Sequence, residues 1–526
     1  MGKIKMVLAL LSILLLAGCC VDDESNSMFM GDCPIRTVNA TIQCNGASCG
    51  SSLNASSGAN VSVWSYKNSG TNSVNLNVSI YLMSNKDVTS SDKEITVVYT
   101  NEGNGYVTLP SIPIDTTLKN EVYPYEEGEE IFEFREPDFM RDEPPALIKQ
   151  AIDPNLSQEP SFKVWSEGAK YNWSVSSDYS PVSRATTLRK QLIVNGRTIN
   201  IWVEDSEYAN GKMSAAKIDY IASNVGSVYA NVVSMAGEPW GPHQASNLIS
   251  SDQPLDIVFF NSGPKIGGYF NTINSYRKTS FSNSNEAVAI FICTRGAGSE
   301  RPTLGVIAHE LTHAIDFYQR FVVKNGGNQF NAFLGEMRAV MMEDVISGKI
   351  SYNRAASRYK DWLSAPLYQQ EFSDWKYSDP SSYAIASSFG SFLLRQYGVD
   401  FYKTLFKTYS GLSDYRAKEI DVLDKAIKVY DSGGLAKALR NWGASIAMFP
   451  AATAPKGFGY PEYNDNGFKL EAFDGNTYRQ YRKLPTSSPA TLAPNAHFPF
   501  LRKTTNNAYN ESFVVPSGVS VSIVVK

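Results

Sequence analysis

Val74, Leu76, Val78, Ile80 and Leu82 alternate with polar neighbours, the period-two signature of a half-buried strand. Val61 and Val63 before them and Ile95–Tyr99 after them share this texture between Asn, Gly and Ser turns. Residues 58–115 therefore read as a small all-β module. Farther on, Asn195-Gly196 separates Gln191–Val194 from Arg197–Val203, and Asn-Gly supplies the positive φ angles of a type I′ hairpin turn. Ile218, Ile221, Val225, Val228 and Val232 recur at spacings of three and four, the apolar stripe of an amphipathic helix. Asp256–Phe260 and Ala287–Thr294 are strand-like apolar runs, and from about Pro302 to Phe449 the period is mostly helical. Strands followed by a helical block imply an α+β fold. Residues 451–526, rich in Pro, Asn and Thr, include Val519, Val521, Ile523 and Val525 alternating with Ser520, Ser522 and Val524, and read as a small C-terminal β appendage.

Composition narrows the function. The 526 residues allow two or three domains, and 48 basic against 52 acidic side chains with no basic run argue against a nucleic-acid partner. Six Cys are too few for a disulfide scaffold, and with four His any histidine chemistry must be compact. Lys3 and Lys5 precede the apolar run Met6–Gly18, an export signal too short to span a membrane. Leu16-Ala17-Gly18-Cys19 resembles the bacterial lipobox, which implies lipidation at Cys19, a signal over residues 1–19 and a membrane-anchored chain whose body is extracytoplasmic. Residues 20–57 read as a tether. Cys20, Cys33, Cys44 and Cys49 allow three disulfide pairings, which stay open, while Cys293 reads as a buried thiol. Residues 116–184 form an acidic, Pro-rich connector, with ten acidic residues from Glu121 to Glu143 against Arg135 and Arg141. Its aromatic residues leave open that it docks on a neighbour.

Thr303–Phe317 carries His309-Glu310-Leu311-Thr312-His313. On a helix, positions i and i+4 share a face about 6 Å apart along the axis, so both imidazoles can reach one metal ion. Glu310 can then face a water beside that ion without ligating it, the division of labour of a zinc hydrolase. Pro302 suits a first turn, and Leu304, Ile307, Leu311, Ala314 and Ile315 supply apolar packing. Composition alone would produce the pattern on the order of 10⁻³ times in such a chain, which sets aside an incidental pair of histidines. A catalytic zinc needs a third protein ligand and one open position. Asp316 and Gln319 stand where one large peptidase class has the Gly and His of His-Glu-x-x-His-x-x-Gly-x-x-His, so that class is excluded. The alternative is Glu336, 23 residues after His313 within the helical pattern Phe333–Val345. Glu343 would lie about 10.5 Å along the axis from Glu336, too far to share the metal but able to orient a ligand histidine. Asp344 is the other candidate for that role, and a solvated charge pair is the alternative for both.

HELTHAI at His309–Ile315 resembles the active-site helix of thermolysin-like gluzincins, and FLGEM at Phe333–Met337 resembles their third-ligand segment. Trp240-Gly241-Pro242-His243, Ser246-Asn247-Leu248-Ile249, Ser284-Asn285-Glu286-Ala287 and Ser382-Tyr383-Ala384 are similar to segments of the hyicolysin family of bacterial metallopeptidases. The resemblance implies a zincin-type domain over residues 185–450 with one catalytic Zn²⁺ on His309, His313 and Glu336, and Glu310 as general base. It departs at Gly335, usually Asn, and at Val340, where thermolysin is acidic, so the partner orienting the histidines is unassigned. Tyr383 opens the apolar stretch Tyr383–Tyr397 as a donor Tyr does in several gluzincins, which implies a hydrogen bond to the reaction's oxyanion; a core aromatic is the alternative. His243 lies in a Trp-Gly-Pro-His loop of functional character, with a structural histidine as the alternative, and His497 reads as structural. Ala287–Thr294 takes the place of the edge strand on which such enzymes bind an extended peptide, unless it is a core strand.

The resulting expectation is an exported, lipid-anchored zinc endopeptidase acting on extracytoplasmic proteins or peptides. The rival is a surface lipoprotein whose peptidase-like core only binds. Glu310 favours the enzyme, since a binder needs no base beside a metal.

Overall fold

Asn195 and Gly196 adopt φ angles of 51° and 82°, the left-handed pair of a type I′ turn, and the hairpin joins Ser180–Val194 to Arg197–Glu204. The computed structural model describes residues 37–45, 53–57, 61–82, 93–118, 146–148, 164–177, 180–263, 267–294, 300–324, 330, 332–376, 381–407, 415–506 and 508–526. The export signal with Cys19, and the side chains of Cys20, Cys33, Cys44 and Cys49, lie outside this description. Among the described residues no helix is long and apolar enough to cross a membrane.

Strands β1 (Thr37–Asn45), β2 (Leu53–Ser57), β3 (Ser62–Lys67), β4 (Val74–Leu82), β5 (Glu94–Asn101) and β6 (Val107–Thr108) come first, then β7 (Lys170–Ser177), β8 (Ser180–Val194) and β9 (Arg197–Glu204). Helices α1 (Asp205–Ala209) and α2 (Ala215–Ala236) precede β10 (Leu255–Phe260), β11 (Gly268–Phe270) and β12 (Val288–Cys293). The helical block comprises α3 (Glu300–Asp316), α4 (Ala332–Ile350), α5 (Arg354–Ser364), α6 (Ser381–Tyr397), α7 (Val399–Lys407), α8 (Tyr415–Lys428) and α9 (Gly434–Ala444). It is followed by β13 (Tyr463–Asp465), β14 (Phe468–Leu470), α10 (Gly475–Tyr478), β15 (Thr491–Leu492), β16 (His497–Lys503), β17 (Ala508–Val515) and β18 (Val519–Val525). The architecture is mixed α+β, as the period changes predict.

Six strands in the order β11-β12-β10-β9-β8-β7 make the sheet under the helices, with β9, β10 and β12 parallel. Its central strands are covered on both faces, which is why they read as unbroken apolar runs. Ile201, Ile257, Phe259, Ile290 and Ile292 join the core with α2 and α3, while Trp202, Val258, Phe260 and Phe291 pack on the opposite face. The stripe Ile218–Val232 of α2 is buried as its spacing predicts, and Ser214 caps the helix by accepting the Lys217 N–H at 3.3 Å. Cys293 is a buried free thiol. The strand over Ala287–Thr294 is interior: β12 lies between β10 and β11, and the three-residue β11 is the edge. The sequence shows an apolar run but not which flank another strand will cover.

The β segments at the two ends of the helical block, separate in the sequence reading, pair with each other. One sheet has the order β16-β5-β18-β3-β2 and a second β1-β4-β17, so β18 sits between two strands more than 400 positions earlier. Phe513 of the second sheet packs on Tyr99 and Phe500 of the first, with ring centroids at 6.5 and 6.1 Å. Ser522 of β18 is buried against Ser65, Oγ to Oγ at 3.0 Å. Alternation identifies strands but carries no information about partners so distant in sequence.

Helix α9 seats this β unit on the helices. Arg440 pairs with Glu102 at 2.9 Å, and Gly443 leaves room for the His497 ring, whose Nδ1 would lie 2.4 Å from a Cβ there. His497 bonds Thr100 Oγ1 at 3.0 Å and meets Trp442 edge-on at 5.0 Å, a structural role as expected. Burial pushes its pKa down to about 3. Below about pH 6.5 the unfolded chain takes up a proton that buried His497 refuses, so stability falls with pH until about pH 3. From about pH 7.5 to about pH 5 this residue is expected to cost roughly 2 kcal/mol, visible in urea unfolding. His497→Gln should flatten that dependence; an unchanged slope would assign it elsewhere.

Residues 146–148 touch the segment that follows α2 at Ser246 and Asn247. Ile148 N–H donates to Asn247 Oδ1 at 3.0 Å, Asn247 Nδ2 donates to Ala146 O at 2.9 Å, and Ser246 N–H donates to Ile148 O at 2.8 Å. Leu147 between them packs on the core, while the aromatic residues Tyr123, Tyr125, Phe132 and Phe134 on which docking would rest lie outside the described residues.

Candidate metal centre

Helix α3 is buried along Thr303–Thr312, with Leu304, Ile307, Ala308, Leu311, Ala314 and Ile315 in the core. That packing holds His309, Glu310 and His313 where the fold needs them. Helix α4 returns beside α3 and is buried almost all round from Phe333 to Ser347. Its three carboxylates are therefore taken out of water, where each needs a countercharge or a hydrogen-bond donor.

Glu336 meets both histidines: Oε2 lies 3.0 Å from His309 Nε2 and Oε1 3.2 Å from His313 Nε2. His309, His313 and Glu336 each offer a ligand atom within 4.8 Å of the others, a group that could hold one metal ion. Donors about 2.0–2.2 Å from a tetrahedral zinc stand roughly 3.3 Å apart, close to these separations. Glu310, next to His309 on α3, is 2% exposed, and its buried Oε2 has no hydrogen-bond partner among the described residues. Two neutral-nitrogen donors, one carboxylate and a free carboxylate beside them fit a zinc ion with an open position.

Glu343 reaches the other side of His309, with Oε1 2.8 Å from Nδ1. It also accepts from both terminal nitrogens of Arg358 on α5, each at 3.2 Å. Asp344, the other candidate for this place, instead binds Arg395 of α6 at 2.6 and 3.2 Å and ties α4 to α6. Neither is a solvated helix-end charge: they are 5% and 1% exposed. Asp316 pairs with buried Arg338 of α4, and Gln319 donates to Glu238 O at 2.8 Å, so the positions of the excluded His-rich class serve packing.

Charge in the pocket follows from these contacts. Burial lifts the Glu310 carboxyl to about 7 against the pull of His309 and His313. Burial works against ionisation of Glu336 too, but His313 and the His309 hydrogen bond hold it well below the usual carboxylate range. Glu343 is likewise opposed by burial yet brought to about 2 by Arg358 and His309. Burial disfavours charge on His309, but hydrogen bonds to Glu336 and Glu343 raise it to about 10.

Tyr383, at the start of α6, is buried with its ring 6.3 Å from that of His309 and 4.8 Å from Trp375. His243 lies outside the group: its Nε2 is 2.8 Å from Ile249 O and its Nδ1 accepts the Ala245 N–H, so both nitrogens serve a loop. Two contributors escaped the sequence reading. Arg358 gives only an Arg-x-x-x-Arg spacing, ordinary on a helix surface. Gly268 of β11 is one glycine among 37, yet a Cβ there would stand 2.9 Å from Val306 Cγ1, 3.0 Å from Phe291 O and 3.1 Å from Glu310 Oε1. Gly268→Ala is expected to lower kcat on the order of tenfold by displacing the Glu310 carboxylate, with zinc content retained. An unchanged kcat would show that the carboxylate has room to spare.

The peptidase M30 family model matches residues 180–526, more than half of the chain. No curated protein matches it. The match takes in the sheet, the helical block with the three-residue metal group, and the C-terminal strands, and agrees with the hyicolysin-family segments in the sequence. The chain belongs to the peptidase M30 family and is a metallopeptidase.

Proposed function

We propose that the protein is a zinc-dependent endopeptidase in which His309, His313 and Glu336 hold the metal and Glu310 is the general base. The observation that carries this reading is the group of three ligand atoms within 4.8 Å beside a buried, unpartnered Glu310 oxygen. Zn²⁺ bound there would lower the pKa of a water toward neutrality and polarise a scissile carbonyl. Glu310 takes a proton from the attacking water and returns it to the leaving amine. Tyr383 donates to the developing oxyanion from the side of His309. Beside Glu310, β11 is the last strand of the six-stranded sheet among the described residues, where an extended peptide would add by strand pairing with Gly268 next to Glu310. This arrangement supports a thermolysin-like gluzincin site. Leu16-Ala17-Gly18-Cys19 supports export, lipidation at Cys19 and action on extracytoplasmic proteins.

Purified protein is expected to carry about one zinc per chain and to cleave an unfolded protein substrate, with chelation abolishing cleavage and zinc restoring it. Metal-free protein that neither takes up zinc nor cleaves would leave the binding-only lipoprotein in place of the enzyme.

A further inference from the structure

We infer that Arg358 is a positioning residue of this centre, fixing His309 through Glu343 and holding the Tyr383 ring beside it; the role rests on the zinc reading above. One carboxylate oxygen, Glu343 Oε1, takes three donors: His309 Nδ1 at 2.8 Å and Arg358 Nη1 and Nη2 at 3.2 Å each. With Nδ1–H donated to Glu343, a metal ion that replaced the proton on Nε2, the nitrogen that faces Glu336, would find the lone pair of that nitrogen available. Glu343 and Arg358 are both 5% exposed, so water cannot replace the guanidinium as the carboxylate's partner. Two of the three donors that set the oxygen's position come from Arg358. The guanidinium carbon also lies 5.8 Å from the centroid of the Tyr383 ring, within the range of a cation–π contact. One side chain thus touches both groups that flank His309.

Arg358 is itself held rigidly. On the same helix, Tyr359 meets Tyr460 at 4.5 Å between centroids, and Trp362 stacks on Trp442 at 4.6 Å. A fork of two nitrogens on a packed helix constrains the carboxylate more tightly than the single ammonium of a lysine could.

The test is the zinc Kd by chelator competition for wild type, R358M, R358K, E343Q and the R358M/E343Q double variant, with the visible spectrum of the cobalt-substituted proteins. R358M is expected to weaken zinc binding about 10–100-fold and to change the cobalt spectrum, with R358K in between. In the E343Q background R358M should add little, because Arg358 acts through Glu343. Wild-type Kd in R358M, or an undiminished effect of R358M in E343Q, would overturn the role of Arg358 while leaving the zinc site standing. Should R358M fail to fold, R358K carries the test: a folded R358K with wild-type Kd and cobalt spectrum overturns it. A wild-type protein that binds no zinc would instead sink the metal reading.

Discussion

Glu310→Ala is expected to keep about one zinc per chain while losing hydrolysis by about 10²–10⁴-fold, the usual worth of a general base. Glu310 is not one of the three residues that gather as a metal group, so its removal leaves all three donors. Helix α3 is held by Leu304, Ile307, Leu311, Ala314 and Ile315, which the change does not touch, and Ala is a good helix former. Burial already disfavours the Glu310 charge, so removing the carboxylate forfeits no ion pair on which the fold depends. His309→Ala is the contrasting variant, expected to lose metal and activity together, because it removes a donor, leaves Glu343 without an imidazole and leaves Glu336 with that of His313 alone. The comparison needs zinc analysis and turnover of an unfolded protein substrate on the same preparations. Retained turnover in Glu310→Ala would exclude it as the base, and loss of zinc from that variant would recast it as a ligand.

A chain lacking residues 37–118 is expected not to fold, although the family match begins only at residue 180. β15 pairs with β6, β16 with β5, β17 with β4, and β18 with β3 and β5, so the deletion strips every sheet partner from four strands within the matched region. It also removes Val63, Tyr66, Leu76, Val78, Ile80, Ile95, Val97, Val98 and Tyr99, each 2% exposed or less. At about 1.5–3 kcal/mol per buried side chain, their combined contribution reaches the whole net stability of a typical domain, roughly 5–15 kcal/mol. The damage extends to the catalytic helices, because α9 packs on β5 and β18, and Trp442 of α9 donates to Ser388 of α6 at 3.1 Å. Thermal unfolding followed by circular dichroism checks this. The truncated chain should show no cooperative transition, and a cooperative melt with wild-type zinc affinity would make the early strands a dispensable spacer.

Much of the site was legible in the sequence because its geometry is local. His309, Glu310 and His313 lie within five positions on one helix, so the helical repeat alone brings them together. Glu336 was within reach for a related reason, since a short return to an antiparallel helix restricts where a third donor can come from. The axial distance that bars Glu343 from sharing a metal with Glu336 left it one candidate, beside Asp344, for orienting a ligand histidine, and Glu343 is the one that meets His309.

The sequence by itself determined the element types, the hairpin at Asn195-Gly196, the core stripe of α2 and the placement of His309, Glu310 and His313 together on one helix. Each depends on backbone periods or turn angles that neighbouring residues set. Tertiary structure alone decided the rest. It chose Glu343 over Asp344, because the choice depends on whether His309 or Arg395 lies across the helix interface. It brought Arg358 to Glu343 and Gly268 to Glu310, contacts that follow from how helices and strands are stacked rather than from any spacing in the chain. It also made β11 rather than β12 the last strand of its sheet among the described residues, and joined strands more than 400 residues apart into one β unit, because alternation tells a strand which face to bury and not which strand to sit beside.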